Sequence, residues 1–303
     1  MACRNSVGQT IMRILVTGGS GFLGSHIVEE LVLRGHSIVS ADLYPPANER
    51  QNFEYLHLDI CNFDALSDAL RGCDAIYNCA GIADLEIVRE NPRKAIEVNV
   101  LGTLNVIEAA FEQNVSRLLQ ASSVYVFSRE GSVYRTTKQA GENLIQDLCA
   151  SRKIEATILR FGSLYGPRAD ANNAIRRLVT QALQENRMDF WGDGSEVREY
   201  IHIRDAAALA VDALDDKYVN QSLHITGRER VTTLEILETI NEMLGGSVAI
   251  SLEDKAFSGR YRLTPYSFES NTGKRLVGNS YVDLGLGLLE VIRVIAEDRD
   301  GQI

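Results

Sequence analysis

The chain has 303 residues, 45% hydrophobic and 24% charged, with only 5 Pro; this suits a folded globule of about two lobes and excludes disordered tails, collagenous rods and disulfide-stapled miniproteins. Its 31 Lys+Arg against 41 Asp+Glu leave a formal charge of -10, a field that repels nucleic-acid backbones and anionic lipid. No run approaches the ~18 apolar residues of a membrane span, and the head MACRNSVGQTIM lacks a signal peptide's apolar stretch.

Neither a nucleic-acid nor a membrane partner is therefore expected, and the expected compartment is the cytoplasm. The cysteines Cys3, Cys61, Cys73, Cys79 and Cys149 form no C-x-x-C pair and have no histidine at ligand spacing. They read as reduced thiols, and no metal centre is expected.

From Arg13 onward, short apolar runs alternate with stretches of helical period: ILVT, FLGSHIVEELVLRG, SIVSAD, FEYLHLDI, NFDALSDALRG and DAIYNCAG. A long helix from about Pro92 to Asn114, a strand SRLLQASS, a helix from about Val133 to Ser151 and a strand EATILRFGS follow. This α/β alternation predicts roughly six parallel strands joined by right-handed crossovers, an open doubly wound sheet over residues 13–163. After Gly166-Pro167 the regularity loosens into helices near 171–186, 204–215 and 231–244, with extended pieces MDFW, YIHI and SLHIT. The expected division is a dinucleotide-binding domain over 13–165 and a smaller mixed α/β substrate-binding lobe over 166–303. A cleft is expected at the carboxyl ends of the strands.

The first strand runs into T-G-G-S-G-F-L-G. Missing Cβ atoms at Gly18 and Gly21 let backbone N–H groups approach a pyrophosphate at a helix N-terminus, and Gly24 lets helix and strand pack closely. The same glycines also suit an ordinary tight turn. Asp42 ends the next strand, 24 residues after Gly18, where a carboxylate accepts hydrogen bonds from ribose hydroxyls and repels a 2′-phosphate, which favours NAD over NADP. Further on, the strand ending A-S-S carries Ser122 and Ser123, and the next helix carries Tyr134 and Lys138. Four residues apart on a helix, the phenol and the ammonium share a face, and the cation favours phenolate.

With these motifs in order, the sequence resembles the extended short-chain dehydrogenase/reductase family, and within it the NAD-dependent epimerase/dehydratase group acting on nucleotide sugars. The resemblance runs through TGGSGFLGSH at 17–26, L-D-I at 58–60, N-C-A-G at 78–81, V-N-V-L-G-T at 98–103, A-S-S at 121–123 and Y-x-x-x-K at 134–138. It continues with Y-G-P at 165–167 and W-G-D-G-S-E-V-R-E-Y-I-H-I-R-D at 191–205. It implies a Rossmann domain that binds NAD: Gly18, Gly21, Phe22 and Leu23 at the pyrophosphate, Gly24 also in the cofactor site, Asp42 at the ribose, and Asp59 and Ile60 at the adenine. Ala80 and Gly81 would lie beside the cofactor, Lys138 at the nicotinamide ribose, and Asn99 would brace the long helix.

By the same resemblance Tyr134 is the general base for a sugar hydroxyl, with Ser123 hydrogen-bonding that oxygen. Ser163 and Arg198 would meet the nucleotide diphosphate, most simply of a UDP-sugar, although Arg198 can equally pair with Glu196 or Glu199. Arg260 and Arg262 are further phosphate candidates that read as well as surface arginines, and Trp191 suits either a base contact or packing. The two long helices match those through which relatives form homodimers, while Ala95, Val98, Leu101, Val106 and Ala109 serve equally as intramolecular core.

Two departures stand out. Ser123 and Tyr134 are only 11 residues apart, where relatives insert a longer loop over the sugar. After A-S-S comes V-Y-V-F, without the Asp-Glu pair that helps sugar 4,6-dehydratases expel water. In addition, Ser163 stands where many relatives have Asn. The expected function is a nucleotide-sugar 4-epimerase. The alternatives are a dehydrogenase or dehydratase that releases a keto sugar, and a catalytically silent NAD-binding sensor or scaffold.

Overall fold

The computed structural model describes residues 11–46, 52–253, 273–278 and 280–300. In chain order the first half comprises β1 (Arg13–Thr17), α1 (Phe22–Leu33), β2 (Ser37–Asp42), β3 (Glu54–His57), α2 (Phe63–Ala69), β4 (Ala75–Asn78), α3 (Leu85–Glu90), α4 (Pro92–Ile96), α5 (Gly102–Glu112) and β5 (Arg117–Ser123). There follow α6 (Ser132–Leu144), α7 (Ala150–Arg152), β6 (Glu155–Phe161), β7 (Ser163–Tyr165), α8 (Ala174–Glu185), β8 (Arg187–Trp191), β9 (Val197–Arg198) and β10 (Tyr200–His202). The remainder is α9 (Ile203–Asp212), β11 (Gln221–Ile225), β12 (Val231–Thr232), α10 (Thr233–Met243), β13 (Ala249–Glu253), β14 (Lys274–Arg275) and α11 (Leu284–Asp300). π-turns at Glu97–Leu101 and Ile145–Cys149 join α4 to α5 and α6 to α7.

Eight parallel strands form the main sheet in the order β14-β11-β6-β5-β4-β1-β2-β3. Its strands are apolar on both faces, as sheets covered by helices on both sides require. Ile14 and Val16 of β1 pack with Ile27 and Leu31 of α1 and with Ala206 and Ala210 of α9. Leu15, pointing the other way, packs with Leu66 of α2 and with Val106, Ile107 and Ala110 of α5. A third core joins Leu178 and Val179 of α8, Met188 of β8, Leu237 and Ile240 of α10, and Leu288 and Val291 of α11.

The six strands expected over 13–163 are β1 to β6. The sheet continues beyond them, because SLHIT lies in β11 and pairs with β6 from Gln221↔Thr157 to Ile225↔Phe161. A short alternating run carries the same signal in a main sheet as in a small ribbon, and the backbone N–H and C=O groups left along the edge of β6 decide where it docks. MDFW and YIHI instead form two-stranded ribbons, β8 with β13 and β10 with β7. Among the described residues no helix is long and apolar enough to cross a membrane.

His26, on α1 just past the glycine turn, is 4% exposed, and its ring Nδ1 lies 2.8 Å from the Phe22 carbonyl oxygen. Burial, reinforced by the Arg168 cation, lowers its pKa to about 4 against the opposing Phe22 hydrogen bond. The unfolded chain binds this proton near its ordinary value while the folded chain refuses it, so stability is undisturbed above pH ~6.5 and is lost as pH falls towards 4. The loss approaches about 3 kcal/mol at the acid end. Urea midpoints measured at pH 7 and pH 4.5 are expected to separate less in His26→Leu than in the native chain.

Candidate active site

Strand β1 ends between β2 and β4, from which the chain proceeds to opposite edges of the sheet, and a crevice opens at such a switch point. Thr17 Oγ1 donates to Asn78 Oδ1 at 2.8 Å, and Asn78 Nδ2 donates to Gln120 Oε1 at 2.9 Å, so one buried polar ladder ties the ends of β1, β4 and β5 together. Gly18 and Gly24, at and just past the turn after Thr17, have no space for a side chain. Gly18 sits at φ +68, and a Cβ there would lie 2.7 Å from Ala80 N; a Cβ on Gly24 would lie 2.0 Å from Gly18 O. Gly21 is the N-cap of α1 and supplies no side-chain cap. The first N–H groups of α1, among them those of Phe22 and Leu23, thus form a cradle with the polarity for an anion.

Asp42 braces this turn: Oδ2 accepts the Ser20 N–H at 3.0 Å and Oδ1 the Tyr44 N–H at 3.1 Å. A carboxylate offers about four lone-pair sites, so capacity remains for hydroxyl donors. Asp59 Oδ1 accepts the Cys61 N–H at 2.9 Å, and Ile60 is buried with its carbonyl accepting from Asn105 Nδ2 at 3.0 Å. Gly102 makes room for Ile60, since a Cβ there would lie 2.5 Å from Ile60 Cδ1. Asn105 is not singled out by the sequence, and Gly102 stands there only as part of V-N-V-L-G-T, with no role attached. Their one signal is a glycine and an asparagine tolerated in an apolar helix.

The loop after β4 brings Ala80 and Gly81 against the candidate catalytic helix. A Cβ on Gly81 would lie 3.0 Å from Asn99 Oδ1 and 3.5 Å from Lys138 Nζ. Asn99, buried in the first π-turn, accepts the Ile82 N–H at 2.8 Å and donates from Nδ2 to Ile82 O at 3.0 Å and to Thr137 Oγ1 at 3.1 Å. Thr137 in turn donates to Tyr134 O at 2.8 Å. The expected brace is thus a bridge from the loop to α6, and Thr137 is a member that sequence reading missed.

Lys138 Nζ donates to Ala121 O at 3.1 Å and stands 5.9 Å from the centre of the Tyr134 ring. Burial lowers the Lys138 pKa to about 8, so it remains a cation at neutral pH. Tyr134 is 8% exposed and packs with Val88 and Ala95. Ser123 is buried, its Oγ accepting the Tyr125 N–H at 3.3 Å, and the Tyr125 ring meets that of Tyr134 edge-on at 5.9 Å. Serine strand, tyrosine and lysine therefore converge at one end of the sheet.

The short connection between them is fastened to α6. Gln139 Nε2 donates to Val126 O at 2.7 Å, and Arg135 NH1 donates to Ser128 O at 3.2 Å and to Arg129 O at 2.8 Å. Gly131, at φ +96, is backed by Tyr125, whose Cδ1 would lie 2.6 Å from a Cβ.

In the second half, Ser163 on β7 pairs with Tyr200 on β10, and Arg198 is half-buried on β9 with NH1 donating to Val197 O at 3.0 Å. Glu199, one of the partners open to Arg198, is buried and has Arg230 at 3.2 Å and Arg275 at 3.5 Å. Trp191 is 41% exposed, with the Arg177 guanidinium 5.9 Å from its ring centre. Arg260 and Arg262 lie outside the described residues.

A model of the NAD dependent epimerase/dehydratase family matches residues 14–225. The chain is 26% identical over 264 residues to the UDP-N-acetyl-alpha-D-glucosaminuronate decarboxylase of Bacillus cytotoxicus, covering 78% of this chain and 82% of that protein. It is 28% identical over 274 residues to YtcB of Bacillus subtilis, an uncharacterized UDP-glucose epimerase, covering 80% and 86% respectively. The fold is shared with the UDP-glucuronic acid 4-epimerase of Bacillus cereus solved with UDP-glucuronic acid and NAD. That likeness has a TM-score of 0.83 at 24% identity and covers 94% of this chain and 99% of the other.

Proposed function

Because the chain belongs to the NAD dependent epimerase/dehydratase family, we propose that it is a nucleotide-sugar 4-epimerase whose substrate is a UDP-sugar. The observation that carries this reading is the meeting of Ser123, Tyr134 and cationic Lys138 beside a glycine cradle, with Val124 and Tyr125 where a dehydratase needs carboxylic acids. The cradle fits NAD, the family's cofactor. The uncapped first turn of α1 with Gly18, Gly21, Phe22, Leu23 and Gly24 holds the pyrophosphate, Asp42 the adenosine ribose, Asp59 and Ile60 the adenine side, and Ala80, Gly81 and Lys138 the nicotinamide side. When bound, NAD supplies the hydride acceptor for the sugar's C4 and later the hydride donor.

The chain's own residues move the proton and position the sugar. Tyr134 takes the proton of the C4 hydroxyl as general base and returns it at the end of the cycle. The Lys138 cation favours the phenolate form of Tyr134, and Ser123 Oγ hydrogen-bonds the reacting oxygen. Arg198 offers a guanidinium fork to the diphosphate, with Ser163 nearby in the neighbouring strand pair. The connection between Ser123 and Tyr134 is short and fastened to α6, so it offers few residues to hold the sugar in a single orientation.

The test is absorbance near 340 nm with a panel of nucleotide-diphosphate sugars, the sugar products being separated in parallel. The expected result is a C4 epimer without steady NADH growth. Steady NADH growth would make the chain a dehydrogenase releasing a keto sugar, and NAD binding without turnover of any sugar would leave the catalytically silent NAD-binding sensor or scaffold.

Ala95, Val106 and Ala109 are fully buried core, but Ile96 of α4, Leu101 of the first π-turn and Phe111 of α5 are 48%, 52% and 53% exposed. This outward apolar face supports a homodimer across α4 and α5. Light scattering is expected to give the dimer mass, and Leu101→Glu to give the monomer.

A further inference from the structure

Tyr134, Lys138 and Glu142 follow one another at intervals of four on α6, so all three occupy the same helix face. Glu142 is 6% exposed. Its Oε1 accepts from Ser122 Oγ at 2.6 Å and from Arg160 Nε at 3.0 Å, and its Oε2 accepts from Arg160 NH2 at 2.7 Å. Arg160 is also 6% exposed and lies directly across from Ser122 in the β5–β6 pairing. Its guanidinium stands 4.7 Å from the ring of Phe127, in the short connection that follows Ser123.

A buried ion pair is a poor source of stability, because desolvation consumes much of the Coulombic gain and an apolar pair of similar volume often serves as well. What such a pair supplies is direction: a planar fork and a carboxylate accept one geometry. Here that geometry joins three elements at the carboxyl end of the sheet. Ser122 lies between Ala121, whose carbonyl receives Lys138 Nζ, and Ser123.

We propose that the Glu142–Arg160 pair, bonded to Ser122, is a positioning device that fixes the end of β5 and the short connection against α6, and so sets where Ser123 and Lys138 stand relative to Tyr134. The proposal rests on the catalytic reading above. In this chain Phe127 leans on the guanidinium, so the same pair anchors both the strand end and the connection.

The test compares the native chain with the double variant Glu142→Leu/Arg160→Met, which removes both charges while keeping apolar bulk, and with Glu142→Gln, which keeps the shape of one partner. One readout needs no substrate: the titration of Lys138 by NMR of carbon-13-labelled lysine, assigned with Lys138→Arg. The charged and titratable groups facing Lys138 are Cys79 from the loop after β4, and Glu142 and Tyr134 from its own helix. Cys79 is itself pushed up to about 12 by burial and stays a neutral thiol. Loss of the Glu142 charge is therefore expected to move the Lys138 titration to lower pH in Glu142→Gln, and by less in the double variant, which removes the Arg160 cation as well.

The second readout is the split of kcat from KM with the sugar that the panel identifies. The expected result is a kcat lower by about tenfold or more with KM within about twofold, as for a misplaced but intact catalytic group. If the double variant does not fold, Glu142→Gln decides by the same two readouts. A folded variant with the native Lys138 titration and native kcat, changed only in melting temperature, overturns the proposal. If no sugar is turned over by the native chain, the epimerase reading fails, while the Lys138 titration still decides whether the pair controls that side chain's surroundings.

Discussion

Tyr134→Phe is expected to lower kcat by about 10²–10⁴-fold, the range lost when a positioned acid–base group is removed. The variant deletes one oxygen and keeps the ring. That ring packs with Val88 and Ala95 and meets Tyr125 edge-on, so melting temperature and NAD affinity are expected to stay close to native. Calorimetric titration with NAD beside steady-state kinetics checks both halves of the expectation. A kcat within about threefold of native would remove Tyr134 from the chemistry and with it the epimerase reading.

Gly24→Ala is expected to be as damaging to cofactor binding as the tyrosine change is to turnover. The added Cβ would lie 2.0 Å from Gly18 O and 2.8 Å from Gly18 C, both backbone atoms of the turn. No rotamer relieves this clash. Either α1 moves off β1 or the turn opens, and in both cases the N–H cradle loses its shape. The expected cost is at least about 2 kcal/mol, or roughly 5 °C in melting temperature, with NAD affinity lowered by about 10²-fold or more. Gly72→Ala is the control. Gly72 sits at φ +70 with nothing within 4 Å of the added Cβ, so it is expected to cost about 1 kcal/mol of backbone strain and to leave NAD binding unchanged. Equal NAD affinity in Gly24→Ala and the native chain would show that the cradle is not the cofactor site.

These two expectations fall on residues that the sequence exposes directly. Gly18, Gly21 and Gly24 follow a strand at fixed offsets, and Tyr134 and Lys138 stand four apart on a helix, so local periodicity and chain order are enough to single them out. Asn105 and Thr137 are not visible in that way, and Gly102, although it lies in V-N-V-L-G-T, does not show its role by spacing. Each works through a partner far along the chain: Asn105 holds the Ile60 carbonyl, Gly102 clears space for Ile60, and Thr137 receives Asn99. Glu142 lay within reach, since it extends the Tyr134 and Lys138 spacing by one more turn. What hid it is that its partners Ser122 and Arg160 come from two other strands.

The second half of the chain shows the same limit on a larger scale. SLHIT reads as a short extended piece, yet it extends the main sheet beside β6, whereas YIHI, an equally short piece, pairs with β7. Both π-turns fall inside runs of unbroken helical period, at Glu97–Leu101 and Ile145–Cys149. The first of them places Asn99 where it can bridge two segments.

By itself, then, the amino-acid sequence determined the strand–helix alternation, the glycine turn, the acidic end of β2 and the serine, tyrosine and lysine of the candidate site, because each is encoded in spacing over a few residues. Only the tertiary structure decided which strands close the sheet, how Asn99 ties the loop after β4 to α6, and that Glu142 and Arg160 face each other across Ser122. Those are contacts between residues distant in the chain. Their energies depend on burial and geometry that exist only once the layers have packed.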